Sequence, residues 1–217
     1  MEMRLVAKGI VKYYKELKVL DGIDLTIGIR ESIGLYGPNA CGKTTLLKIL
    51  ADIVKPEEGE IVRFGTVSMV FQDDKMIPWM DLVNNVAILL RLKGVNKSKA
   101  LKEALEKLKQ LEIDKYSKMK PSQLSGGTIR KASIARALTL DPDILLLDEP
   151  FTGIDESSRS SIKDLIRSLI NDHKISIVLT SHYIDDFKDL VDKILFMSRS
   201  PARIIKIETI TSSKSRT

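Results

Sequence analysis

The stretch Gly37-Pro38-Asn39-Ala40-Cys41-Gly42-Lys43-Thr44-Thr45 constrains this chain more than any other. Gly37, four intervening residues and then Gly42-Lys43-Thr44 complete the Walker A spacing. The context fits: Ser32–Tyr36 reads as a short apolar strand running into the loop, and Thr44–Leu50 as the helix leaving it. A Gly-rich bend of this kind aims backbone N–H groups at one point, and the helix N-terminus adds the positive end of its dipole. The complementary ligand is phosphate. Lys43 is then expected to reach the β- and γ-phosphates of a nucleotide, and the Thr44 hydroxyl to touch Mg²⁺. Cys41 reads as small filler inside the loop.

A second feature belongs beside it. Ile144-Leu145-Leu146-Leu147 is wholly apolar, as expected of a parallel strand buried on both faces, and it ends in Asp148-Glu149-Pro150. A strand delivering an acid beside a phosphate loop is how such enzymes hold their metal. Asp148 is the expected Mg²⁺ partner. Glu149, one residue further, is placed to polarise an attacking water as general base.

Residues Arg4–Tyr14 and Lys18–Ile27 read as strands with Asp21-Gly22 as a turn signal, and Glu60–Phe64 and Thr66–Phe71 as a pair hinged on Gly65. From Gln72 to Leu140 the pattern is mostly helical. Leu101, Leu105, Leu108 and Leu111 mark one apolar face, and Glu103 pairs with Lys107. Strand character returns at Ile144–Leu147, Ile175–Thr180, Ile194–Met197 and Arg203–Ile207, with a helix through Ile162, Leu165, Ile166 and Leu169 and a fraying tail. The longest apolar run, Val86–Leu90, breaks at Arg91, far short of the roughly 20 residues of a membrane helix. Lys8 and Lys12 interrupt any signal peptide, and one cysteine fits a reducing compartment. A net charge of +6 admits nucleic acid, an anionic surface or a polyanionic ligand, and does not choose among them.

The phosphate loop alone leaves kinases, GTPases and recombinases open, and Leu124-Ser125-Gly126-Gly127 narrows that choice. A Ser-Gly-Gly turn opening a helix is a second anion site, so one phosphate loop plus one such turn implies two chains sharing two nucleotides. At this point the chain resembles the ATP-binding-cassette (ABC) ATPases over nearly its whole length. LSGGTIRKASIARAL is similar to their signature, ILLLDEP to their Walker B, Gln72 to the Q-loop glutamine, and Asp155 in PFTGIDESS to the D-loop aspartate. His182 in LTSHYIDD is similar to their switch histidine, and Tyr14, unlike Tyr13 on the other strand face, to the adenine-stacking aromatic. Thr128 and Thr152-Gly153-Ile154 depart from the commoner family residues.

The resemblance implies an α/β P-loop NTPase (RecA-like) core with an antiparallel β subdomain and an inserted α-helical subdomain. Residues 1–72 and 141–217 would form the core and 73–140 the helical part. It implies ATP hydrolysis through Glu149, His182, Gln72 and Lys43. Nucleotide contacts would come from Tyr14, Gly37 to Thr45, Gln72, Ser125, Gly126, Gly127 and Asp155. Mg²⁺ would be met by Thr44, Gln72 and Asp148. The run FQDDKMIPW and the ending Met197-Ser198-Arg199-Ser200-Pro201-Ala202-Arg203-Ile204 are similar to importer ATPases for nitrate, sulfonate, taurine and related molecules. The implied setting is a homodimer at the cytoplasmic face of the membrane, under a separate permease, with a substrate-binding protein as a further partner and no appended regulatory domain. Pro78 and Trp79 read either as a lip for the permease or as core of the helical insert. Rival readings are another cargo, lipid or metal, and a nucleic-acid-associated cassette. The single cassette, the short interval from Gly37 to Ser125 and the lack of basic runs interleaved with aromatics speak against nucleic acid.

Overall fold

The computed structural model describes residues 2–171, 175–187 and 189–210. The chain runs β1 (Met3–Tyr14), β2 (Leu17–Gly28), β3 (Ser32–Tyr36), α1 (Lys43–Leu50), β4 (Glu58–Arg63) and β5 (Val67–Val70). Helices α2 (Leu82–Leu92), α3 (Lys97–Gln110) and α4 (Gly126–Leu138) follow, then β6 (Ile144–Leu147). It closes with α5 (Glu156–Asn171), β7 (Ser176–Ser181), β8 (Lys193–Met197) and β9 (Ile204–Thr209). The Ser/Thr/Lys tail beyond residue 210 lies outside the described residues.

Two sheets result. β2-β1-β4 is antiparallel, and β5-β6-β7-β3-β8-β9 is parallel except for the closing strand β9. β3 lies between β7 and β8, so the loop that follows it leaves the interior of the sheet. Successive residues of the inner strands serve opposite cores. Ile33, Leu35, Ile144, Leu146 and Val178 pack with α1 and the antiparallel sheet, whereas Leu145, Leu147, Ile177 and Leu179 pack with α2 to α5. Both faces being covered, these strands have no need of polar alternation, which explains the unbroken Ile-Leu-Leu-Leu. Leu46, Leu47, Ile49 and Leu50 of α1 are fully buried, each contributing about 1.5–3 kcal/mol. That packing anchors the helix whose first turn faces the phosphate loop.

Four local expectations change. The strands on either side of Gly65 are no pair: β4 joins β1 in the antiparallel sheet and β5 joins β6 in the parallel one. Asp21-Gly22 is no turn; the hairpin closes at Tyr14↔Leu17 with Lys15 at φ 55, as a two-residue loop demands. Pairing steps from Ile10↔Ile23 to Lys12↔Leu20, so β2 carries one extra residue, absorbed by Gly22 at φ 71. Residues 72–81 are irregular, not helical. Buried Asn85 organises them: its Oδ1 accepts from Ile77 N at 2.6 Å and its amide donates to Ile77, Met80 and Asp81 carbonyls at 3.1 Å. Finally, α3 buries Ala100, Ala104 and Leu108, while Leu101 and Leu105 are only half-buried. The small alanines face the neighbouring helices, and Lys107 reaches Asp141 at 3.1 Å.

Candidate functional site

At the end of β3 the chain must reverse into α1 within a few residues, and sterics select each of them. A Cβ on Gly37 would come within 2.9 Å of Cys41 Sγ and 3.1 Å of Met197 Cβ. Gly42 adopts φ 112 beneath Val19 and Leu20, again with no room for a Cβ. α1 starts there with no side-chain cap and no acidic residue in its first turn. Its leading N–H groups face an anion-shaped concavity. Cys41 is buried filler, and burial pushes its thiol up.

Lys43 is 5% exposed. Its Nζ donates to the carbonyls of Gly37 at 2.9 Å and Pro38 at 3.1 Å, and lies 3.5 Å from Glu149 Oε1. The ammonium is curled over the loop it belongs to. It is held by two neutral carbonyls beside the Glu149 carboxylate, and a phosphate outcompetes the carbonyls as a partner for a cation.

β6 then delivers two buried carboxylates. Burial pushes the Asp148 carboxyl up, while hydrogen bonds from Thr44 and Thr180 pull it back down. Thr180 Oγ1 donates to Asp148 Oδ1 at 2.9 Å and accepts from Glu149 N at 2.8 Å. Glu149 takes φ 46, a left-handed backbone that costs of order 1–3 kcal/mol in a non-glycine residue. Its side chain meets three groups. Oε2 accepts from Thr152 Oγ1 at 3.0 Å and lies 3.3 Å from His182 Nδ1, and Oε1 faces Lys43. His182 Nδ1 is buried and completes no hydrogen bond within the described residues.

These groups line one cavity of about 710 Å³, within the range of ligand pockets, together with Tyr14, Val19, Asn39, Ala40, Gly42, Thr44, Thr45 and Gln72. Tyr14 is 46% exposed, with Lys12 Nζ 5.5 Å from its ring centroid, and Tyr13 does not line the cavity. Gly37, Pro38 and Cys41 shape the loop from beneath, and Asp148 lies behind Thr44. Among the described residues no three His, Cys, Asp or Glu side chains cluster as a metal cage. Thr44, Gln72 and Asp148 are a sparse oxygen set, suited to an Mg²⁺ that arrives with phosphate ligands of its own.

Ser125, Gly126, Gly127 and Asp155 do not line this cavity. Ser125 and Gly127 line another, of about 260 Å³, with Thr128, Lys115, Lys131 and Ser158. Ser125 Oγ caps α4, accepting from Thr128 N at 3.2 Å, and Thr128 Oγ1 turns inward to it at 3.0 Å. A Cβ on Gly127 would reach Ser158 Cβ at 2.5 Å, so glycine lets α4 press onto α5. Asp155 opens α5: bonds from Ser158 N and from the Ser157 and Ser158 hydroxyls hold its carboxyl well below the usual range.

Four residues emerge that sequence patterns do not single out: Val19, Arg130, Thr152 and Thr180. Thr152 stands out in the sequence only as a departure from the family pattern, and no local signal sets the other three apart.

A family profile described as ABC transporter matches residues 20–152. The chain belongs to the ABC transporter family. Among its relatives, the taurine import ATP-binding protein TauB of Pseudomonas aeruginosa is 36% identical over 193 residues, covering 84% of this chain and 73% of the relative. The aliphatic sulfonates import ATP-binding protein SsuB 1 of Nocardia farcinica is 35% identical over 191 residues, covering 88% and 76%. A solved dimeric ATP-binding cassette in a post-hydrolysis state, bound to ADP and Pi, superimposes with TM-score 0.85 at 27% identity, covering 96% of this chain and 99% of that one. This protein is therefore an ABC transporter ATPase with the P-loop core expected of it. No helix among the described residues is long and apolar enough to cross a membrane.

Proposed function

We propose that this ABC ATPase is one half of a two-site motor that drives import of a small molecule through a separate permease. The observation that carries the reading is the split between the two cavities. Lys43, Glu149 and His182 converge in one, while Ser125 and Gly127 open on another. A second copy, arranged head to tail, would set its Ser125 and Gly127 over the γ-phosphate held by the first chain's loop. The dimeric ADP-bound relative supports that arrangement.

Within one site the roles follow from position. The loop amides and Lys43 bind the β- and γ-phosphates, with Lys43 exchanging the Gly37 and Pro38 carbonyls for phosphate oxygens. Tyr14 offers a ring face to adenine. Mg²⁺, when bound through Thr44, Gln72 and Asp148, supplies neutralisation of phosphate charge. Glu149 accepts the proton of the attacking water, its carboxylate aimed by Thr152. His182, whose buried Nδ1 lacks a hydrogen bond among the described residues, is poised beside Glu149 to contact the γ-phosphate. Asp155 braces the start of α5 beside Gly127 and acts at the dimer seam.

The permease-facing surface is read at Trp79. Its side chain is 74% exposed, which removes the alternative of a core residue. Leu92 is 77% exposed on the rim of a groove of about 410 Å³ lined also by Met80, Ile88 and Arg91. An amphipathic permease helix suits such a groove, and docking there would set the protein at the cytoplasmic face of the membrane. The relatives named for taurine and sulfonate import support a small-molecule cargo of the nitrate, sulfonate and taurine class. Co-purification with a membrane partner, followed by Trp79→Ala, tests the reading. Permease-stimulated ATPase is expected to fall more than basal activity, and an equal fall in both overturns the docking role.

A further inference from the structure

One face of α4 is polar where helix packing alone would call for apolar residues. Arg130, Ser133 and Arg136, three residues apart, all reach the segment that follows β5. Arg130 is 3% exposed, and a guanidinium is almost never buried to that degree without partners. Its Nη2 donates to Gln72 O at 2.9 Å, its Nη1 to Glu149 O at 3.3 Å and its Nε to the Asp74 carboxylate at 3.1 Å. Ser133 Oγ and Arg136 Nη2 donate to Asp74 O at 3.2 Å. One planar cation therefore holds the backbones of two segments that are remote in sequence. They are the segments that carry Gln72, assigned above to Mg²⁺, and Glu149, assigned to the general base.

The same helix begins at Ser125, on the other cavity. Arg130 is five residues further on, about 7.5 Å along the axis. A shift at Ser125 therefore moves Arg130 with it as one rigid body.

We propose that Arg130, oriented by Asp74, is a positioning residue that clamps the signature helix to the Gln72 and Glu149 backbones, so that contact at Ser125 aligns the catalytic carboxylate. The proposal rests on the two-copy reading above. A cation alone does not suffice for it. Lysine at 130 keeps the charge opposite Asp74 but lacks the planar fork needed to span three acceptors.

The test measures steady-state ATP hydrolysis by the full chain, with binding of a fluorescent Mg-ATP analogue and thermal midpoints, for wild type, Arg130→Lys, Asp74→Asn and Glu149→Gln. Arg130→Lys is expected to bind the analogue within about twofold of wild type and to lose about 10- to 100-fold in kcat, as displaced catalytic groups do. Its Hill coefficient for ATP is expected to fall toward one, a change that loss of packing alone does not produce. A folded Arg130→Lys with kcat within about twofold of wild type, or with lower kcat and an unchanged Hill coefficient, overturns the clamp. A wild-type Hill coefficient of one overturns it too. If Arg130→Lys does not fold, Asp74→Asn decides. It keeps both carbonyl bonds but removes the carboxylate charge that orients the guanidinium, so a fall in kcat and Hill coefficient is expected, and wild-type values refute the proposal. Glu149→Gln separates the two readings: unimpaired turnover there sinks the general-base assignment, whereas its loss with a normal Arg130→Lys sinks the clamp alone.

Discussion

Thr180→Val isolates one hydroxyl that joins the fold to the site. Thr180 is fully buried, and its Oγ1 both donates to Asp148 and accepts from Glu149 N. Valine keeps the shape and β-branching, so no cavity opens. What is lost is a bond to a carboxylate, worth roughly 1.5–3 kcal/mol, and a partner for a buried N–H, whose orphaning costs about 1–3 kcal/mol. Taking the lower part of the combined range, because Glu149 is near the cavity, the variant should be destabilised by about 3 kcal/mol. With a urea slope of about 2–3 kcal/mol/M, that moves the unfolding midpoint down by about 1–1.5 M. Circular dichroism during urea titration without nucleotide measures it. Thr180→Ser, which keeps the hydroxyl and loses a methyl, is the control and should lose about 1 kcal/mol. Equal losses in the two variants would show that the methyl, not the hydroxyl, matters, and would refute the reasoning. Turnover should fall in Thr180→Val as well, since Glu149 then loses the bond that fixes its backbone at φ 46.

Lys43→Ala should weaken nucleotide binding itself, by about 10-fold or more in a fluorescence titration, because charge-assisted bonds to phosphate are lost; normal affinity would contradict the phosphate role. Thr152→Val should leave nucleotide affinity unchanged and lower kcat several-fold, by about the loss of one hydrogen bond to a carboxylate, and an unchanged kcat would show that Glu149 needs no such aim. Asp21 is held below the ordinary carboxylate range by Lys18 and then Arg203. A lowered folded pKa adds stability above the unfolded value and loses it as pH falls, so Asp21→Asn should be less stable than wild type at pH 7. The gap should close in acid, and a gap constant with pH in thermal melts would exclude the ion pair as its cause.

How much was legible in the sequence depended on the range of the interaction. The phosphate loop was readable because steric rules at Gly37 and Gly42 act within a few residues. The strand ending in Asp148-Glu149 was readable because burial on both faces leaves an unbroken apolar run. Gln72 and His182 could be placed only by the order of motifs, and both line the cavity with Lys43. Arg130 is not legible locally because its acceptors lie 19, 56 and 58 residues away, and a local pattern shows only one more basic residue on a helix. Thr152 read as a departure from a family pattern, and only the fold shows its hydroxyl on Glu149. Asp21-Gly22 misled for the converse reason. The same residues serve a turn or a bulge, and pairing with β1 decides which.

The central claim is that each phosphate loop is half a site. Light scattering on Glu149→Gln tests it most directly, because that variant should bind Mg-ATP without consuming it. The expected result is a mass near the chain's 24.3 kDa with ADP or no nucleotide, twice that with Mg-ATP, and no doubling when Ser125→Ala is added. A variant saturated with Mg-ATP that stays monomeric would contradict the account.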